Sequence, residues 1–183
     1  MNSQTVSEPY RPSLAYSVIQ SPLEDLLVIA TADAVVRIAY TSLTSTDELL
    51  TSFSKSDTPV ALAQHPSGAL ATAIDQLGQY FDGSRTAFDL PLELGVLRGG
   101  FTARVLLQAF AIPYGTTTNY GAIAARCANP RGARAAGNAL GSNPLPIVIP
   151  CHRIIRSDGS LGGYTGGLDK KAWLLELEQR TQL

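Results

Sequence analysis

Hydrophobic and polar positions change period several times along the chain. Residues 14–20, 25–31 and 34–40 are short runs with β-branched or aromatic side chains, punctuated by Ser21-Pro22 and Thr31-Ala32-Asp33. Such runs predict two or three antiparallel strands. Residues 45–54 predict a short helix opening at Ser45 or Thr46, and residues 55–66 a loop. Leu70, Ile74, Leu77 and Phe81 recur at helical spacing, so a helix capped by Ser67 should run to Phe81 and end at Asp82-Gly83. Phe88, Leu90, Leu92 and Leu94 then alternate as an extended segment leading into a second domain. A helix over 101–112 should bury Phe101, Val105, Leu106, Ala109 and Ile112 before Pro113-Tyr114-Gly115 stops it.

The stretch TTTNYGAIAARCANPRGARAAGNALGSNP predicts two short helices joined by a tight turn, a helix-turn-helix. Asn119 suits the cap of the first, which should reach about Cys127. Asn129-Pro130 is a second start signal, a cap followed by proline at the first helical position. Seven of the eleven residues from 131 to 141 are Gly or Ala, and an interior Gly costs about 1 kcal/mol of helix propensity. Small residues let a backbone approach another surface closely. That surface is either a nucleic-acid groove, approached with Arg131 and Arg134 on one face, or another helix.

The segment 145–150 is apolar, should be extended, and ends at Pro150-Cys151-His152-Arg153. A cysteine where an apolar run stops is presented at a pocket rim, and a neighbouring imidazole or positive charge activates its thiol. The bland alternative is a small buried hydrophobe. In a strand Cys151 and His152 would face opposite ways, so they need a bend or a bridging water to exchange a proton. Residues 157–160 form a turn, and Gly162-Gly163-Tyr164-Thr165-Gly166-Gly167 a flexible loop that reads as a pocket wall. In a final helix opened by Asp169, Glu178 falls on the apolar side with Leu174 and Leu175. A carboxylate there needs a partner, and an imidazole is a good one; a solvated acid is the alternative.

Composition narrows the class. The 183 residues are 45% apolar and 16% charged, enough for one domain or two small ones. The polar opening MNSQTVSEPYRPS has no apolar core, which predicts no secretory signal, and no apolar run reaches membrane-spanning length. Two cysteines, Cys127 and Cys151, predict free thiols in a reducing compartment, and with only two histidines a metal site is not expected. Charge is unevenly spread. Residues 1–93 carry eleven acids and four bases, whereas residues 94–157 carry seven arginines, no lysine and no acid. The arginines are 98, 104, 126, 131, 134, 153 and 156. An arginine-only block points to phosphate, against the alternative of a solvated basic face.

In the stretches IPYGTTTNYGAIA, RGARAAGNALGSNPLPIVIPCHRII and GSLGGYTGGLDKKAWLLELE the chain resembles the O6-alkylguanine-DNA alkyltransferases (methylated-DNA–protein-cysteine methyltransferases). These cover most of residues 101–178 in the family's order; residues 1–93 resemble it only in length and element order. The resemblance implies an α+β fold: a tail over 1–12, a small scaffold domain with a short antiparallel sheet over 13–93, and a mainly helical DNA-binding and catalytic domain over 94–183. It implies that Cys151 accepts the alkyl group, His152 takes its proton through a water, and Glu178 orients that imidazole. Tyr120 would donate to the ring edge of the guanine, and Asn143 would brace the turn before the active-site segment. Arg134 would fill the gap left in the base stack, with Arg131, Ala133, Ala135 and Asn138 beside it on DNA. Tyr164 and Thr165 would wall the base pocket, with Leu140 and Pro146 as apolar neighbours.

The implied partner is double-stranded DNA carrying O6-alkylguanine, with O4-alkylthymine a further substrate. The base would be flipped out through the minor groove, and the transfer irreversible. No cofactor or metal is implied. A cytoplasmic monomer is implied, nuclear in a eukaryote, with cooperative binding on DNA left open. Ala122 departs from the Glu or Gln common there, and Gly95-Val96-Leu97-Arg98-Gly99-Gly100 matches poorly. The N-terminal zinc cysteines and the metal-binding domain of some relatives are missing. Two other readings remain: a non-catalytic module that marks lesions, and a cysteine hydrolase using Cys151, His152 and Glu178.

Overall fold

In the computed structural model the described residues are 13–54, 60–62, 66–93 and 99–180. The readings made for residues 1–12, His65, Leu94 and Arg98 lie outside them.

Strands β1 (Leu14–Ile19), β2 (Leu26–Ala30) and β3 (Val35–Tyr40) form an antiparallel meander, as the alternation predicts. β2 reads LLVIA, without polar alternation, because both its faces are covered. Leu26, Val28 and Ala30 face the main core with Ile38 and Tyr40, while Leu27 and Ile29 pack with Leu49 of α1 (Thr46–Ser54). The loop expected over 55–66 contains a short strand, β4 (Val60–Leu62), that extends the sheet parallel to β1 in the order β3-β2-β1-β4. Three residues are too few for a periodicity to show.

Helix α2 (Gly68–Phe81) lays Leu70, Ala73, Leu77 and Tyr80 on the sheet. Ser67 precedes it in an extended conformation but makes no side-chain cap. Its start is set by close backbone approach: at Gly68, φ +56°, a Cβ would come within 2.5 Å of the Ala32 carbonyl oxygen. The alternating segment after α2 lies along the outer edge of β3, where Val35 N donates to Pro91 O and Glu93 N to Val35 O, both at 2.9 Å. Further along that edge Ile38 N donates to Pro144 O at 2.9 Å, so the second half of the chain also covers the edge strand.

Helix α3 (Gly100–Phe110) buries Ala103, Val105, Leu106 and Ala109; Ile112 is buried just past its end. A two-residue strand β5 (Thr118–Asn119) leads into α4 (Tyr120–Arg126), capped as expected by Asn119, whose Oδ1 accepts from Ala122 N at 2.9 Å. Helix α5 (Ala133–Gly141) starts later than the Asn129-Pro130 signal implied. Asn129 O accepts from Gly132 N at 2.8 Å, so Asn129-Pro130-Arg131-Gly132 is a four-residue turn, a sequence order that turns also favour. Arg131 therefore lies in that turn and not on the helix face with Arg134. After α5 come β6 (Ile154–Ile155), parallel to β5, and α6 (Leu168–Arg180). One core runs from β2 through α2 and α3 to Leu174 and Leu177 of α6.

Candidate active site

The segment that delivers Cys151 is not the extended strand its apolar pattern implied. Ile149 N bonds to Leu145 O and Cys151 N to Ile149 O, both at 2.8 Å, and Ile147 has φ +75°. A β-branched residue in that left-handed region is strained and has to be held there. Pro144, Pro146 and Pro150 remove the donors a strand would need, and Asn143 supplies the internal bonds instead. Its Oδ1 accepts from Leu145 N at 3.0 Å, and its Nδ2 donates to Ile149 O at 2.8 Å and to Cys151 Sγ at 3.2 Å.

Cys151 to Arg153 form a short 3-10 turn, which is the bend the adjacent Cys and His require. The thiol is more buried than a rim position implies: Cys151 is 9% exposed and lines a cavity. Burial pushes its pKa above the ordinary value, against the opposing pull of the Asn143 amide and the Lys171 ammonium.

Behind it, His152 and Glu178 are buried and bonded, Nε2 to Oε1 at 2.8 Å. Among the described residues, the buried His152 Nδ1 has no hydrogen-bond partner. Glu178 Oε1 also accepts from the Tyr80 hydroxyl at 2.6 Å and from Arg153 Nη2 at 2.8 Å. Oε2 accepts from Gly115 N at 2.9 Å and Arg153 Nε at 3.0 Å. Burial alone would raise the Glu178 pKa, but the His152 and Arg153 contacts outweigh it and hold it at about 2. Burial keeps His152 below its ordinary value despite Glu178. With Glu178 ionised, Nε2 carries the proton and Nδ1 the free lone pair. Arg153, counted above among arginines available to phosphate, is instead 6% exposed and consumed by this carboxylate.

The cavity measures about 720 Å³. Its walls include Tyr120 from α4, Ala133, Arg134, Asn138 and Leu140 from α5, and Tyr164 and Thr165 from the glycine-rich loop. Pro146 and Asn143 border a smaller adjoining cavity of about 90 Å³, which also reaches Cys151. Arg131 and Ala135 are exposed but line neither cavity. On α5 the two readings of its small residues hold for different sides. Ala136 and Ala139 are buried in the core, while Ala133, Arg134, Ala135 and Asn138 are exposed.

Three contributors carry no signal singled out above, and a fourth, Arg156, was named only within the arginine block. Tyr80, on the apolar face of α2, looks like any core aromatic. Tyr40 bonds the Tyr164 hydroxyl at 3.0 Å. Arg156 lines the large cavity. Lys171 is fully buried, donates to Ile154 O at 2.6 Å and Gly163 O at 3.2 Å, and burial pulls its pKa down to about 8. It shares the α6 stripe with Leu174 and Glu178, so the signal for it in the sequence is the same, a charge on an apolar stripe. The Tyr120 hydroxyl donates to Gly163 O at 3.0 Å.

Two family models match this arrangement. The DNA-binding domain of 6-O-methylguanine DNA methyltransferase covers residues 100–180, and its ribonuclease-like domain residues 14–94. The chain belongs to the 6-O-methylguanine DNA methyltransferase family. Among its relatives, the methylated-DNA–protein-cysteine methyltransferase of Mycolicibacterium paratuberculosis is 43% identical over 91% of this chain and 93% of its own length. The inducible enzyme of that name from Bacillus subtilis is 32% identical over 94% of each. The crystal structure of Mycobacterium tuberculosis OGT in complex with DNA superposes with a TM-score of 0.76 at 38% identity, over 91% of this chain and 94% of that one. Among the described residues no helix is long and apolar enough to cross a membrane, and no group of three or more His, Cys, Asp or Glu is placed to hold a metal ion.

Proposed function

We propose that the chain repairs DNA by moving the alkyl group from O6 of guanine, and from O4 of thymine, irreversibly onto Cys151. The observation that carries this is a nearly buried thiol lining a cavity that the exposed α5 residues Ala133, Arg134 and Asn138 also line. A sulfur so recessed cannot meet a base within its stack, so the base is flipped out into the cavity. Flipping costs a few kcal/mol, least for a damaged pair. Arg134, exposed on α5 and lining the cavity, fills the gap left in the stack as α5 enters the minor groove. Ala133, Ala135 and Asn138 lie against DNA beside it, and Arg131 meets phosphate from the preceding turn.

The chemistry is an in-line displacement. The Cys151 sulfur forms a bond to the alkyl carbon as the carbon–oxygen bond breaks, and the guanine takes the electron pair. The thiol proton passes through a water to His152 Nδ1, the open acceptor left by the Nε2–Glu178 bond. Tyr120 exchanges its Gly163 bond for a hydrogen bond to the purine edge, which disperses the charge that develops on the leaving base. Asn143 steadies the sulfur through its 3.2 Å contact. Tyr164, Thr165, Leu140 and Pro146 enclose the base and its substituent. The thioether product is not reduced by thiols, so each molecule acts once, as a monomer in the compartment that holds DNA.

Duplex DNA with a labelled methyl on O6 of guanine tests this. Label on the protein at no more than one group per chain supports transfer. Label left on tightly bound DNA supports the lesion-marking module, and label released to solvent with turnover supports a hydrolase.

A further inference from the structure

The N-terminal sheet reaches the site through Tyr40, the last residue of β3. Its side chain is 2% exposed, and its hydroxyl lies 3.0 Å from that of Tyr164. The two rings meet edge-on with centroids 6.3 Å apart. Gly166 is wedged against both: a Cβ there would come within 2.5 Å of the Tyr40 ring and 2.7 Å of the Tyr164 ring. Lys170 Nζ lies 5.4 Å from the Tyr40 ring centroid and is held by Glu24 at 2.9 Å. The Tyr40 ring therefore has little room to move.

Tyr40 borders the cavity of about 90 Å³, together with Leu43, Pro146 and Tyr164. Cys151 borders both this cavity and the larger one, so the sulfur sits where the two meet. In the in-line displacement the alkyl carbon lies between O6 and the sulfur, so the rest of the substituent must project sideways from that carbon into space beside Cys151, and the smaller cavity offers it. A cavity of about 150 Å³ holds a benzene ring. The smaller value here suits a short aliphatic chain and not an aromatic ring.

We infer that Tyr40 is a specificity-determining residue, whose fixed ring closes the space beside Cys151 and limits the alkyl groups accepted to short aliphatic ones. The inference rests on the transfer reaction proposed above and leaves its bonds unchanged. It gives the N-terminal half of the chain a part in substrate choice.

The test compares single-turnover transfer from duplexes carrying O6-methylguanine or O6-benzylguanine. The unsubstituted protein should transfer benzyl at least about tenfold more slowly than methyl, the scale on which an apolar pocket discriminates size. Tyr40→Leu should raise the benzyl-to-methyl ratio by about tenfold, and Tyr40→Phe, which keeps the ring, by no more than about twofold. If Tyr40→Leu does not fold, Tyr40→Met must raise the ratio in its place. Equal benzyl and methyl rates in the unsubstituted protein overturn the inference, as does a folded Leu or Met variant with an unchanged ratio. Failure of the unsubstituted protein to take even methyl overturns the transfer reaction itself, a different result.

Discussion

The Tyr80 hydroxyl donates to Glu178 Oε1 at 2.6 Å, joining α2 to the acid behind the thiol. Tyr80 is fully buried, and burial beside Glu178 raises its pKa far above the ordinary value, so it stays a donor. Tyr80→Phe keeps the ring packed against Phe88 and Tyr114 and removes only the donor. A hydrogen bond to a charged group is worth about 1.5–3 kcal/mol, and a loss of that size is expected in urea unfolding. Transfer should slow as well, because the oxygen that orients His152 loses a constraint. An unchanged unfolding midpoint would remove Tyr80 from the network.

Acid should destabilise the fold in two stages. His152 lies below its ordinary value of 6.5 in the folded protein, and Glu178 at about 2 against 4.5. For both, the unfolded chain takes up the proton first as pH falls, so stability is lost in that direction. The contribution is complete above 6.5, declines first through His152, then through Glu178 between 4.5 and about 2. Thermal melts at steps of pH should show the midpoint falling from about pH 6.5 downward. Glu178→Gln should flatten the part below 4.5. A midpoint that holds steady down to pH 4.5 would contradict the neutral, buried His152.

Arg134 is exposed and lines the large cavity, and it is not a partner in the hydrogen bonds that tie Cys151 to Asn143 or His152 and Arg153 to Glu178. Arg134→Ala should slow repair in duplex DNA about tenfold, the equivalent of 1.4 kcal/mol, while leaving reaction with a free O6-alkylguanine base nearly unchanged. Rate measurements on the two substrates decide it. Equal slowing on both would take away its part in holding the duplex open.

The sequence carried the pairing of His152 with Glu178 better than the path that delivers Cys151. Cys151 followed by His152, and a glutamate on the apolar stripe of α6, were legible because charge on an apolar stripe is informative by itself. The strands β1 to β3 and the Asn119 cap followed from local patterns. The segment 145–150 did not, because its coiling depends on Asn143 bonding to groups two and six residues away while three prolines withdraw donors. Asn129-Pro130 satisfies both a helix start and a turn, and the Gly132 N–H decided for the turn. Tyr40 and Tyr80 act across 124 and 98 residues of sequence, which no local period encodes.

The transfer of one alkyl group to one sulfur is most directly tested by intact-mass spectrometry after incubation with duplex DNA containing O6-methylguanine, followed by peptide mapping. The mass should rise by a single methyl group, located on the peptide holding Cys151, and Cys151→Ser should show no gain. A protein of unchanged mass, or a serine variant that gains the same methyl, would contradict the account.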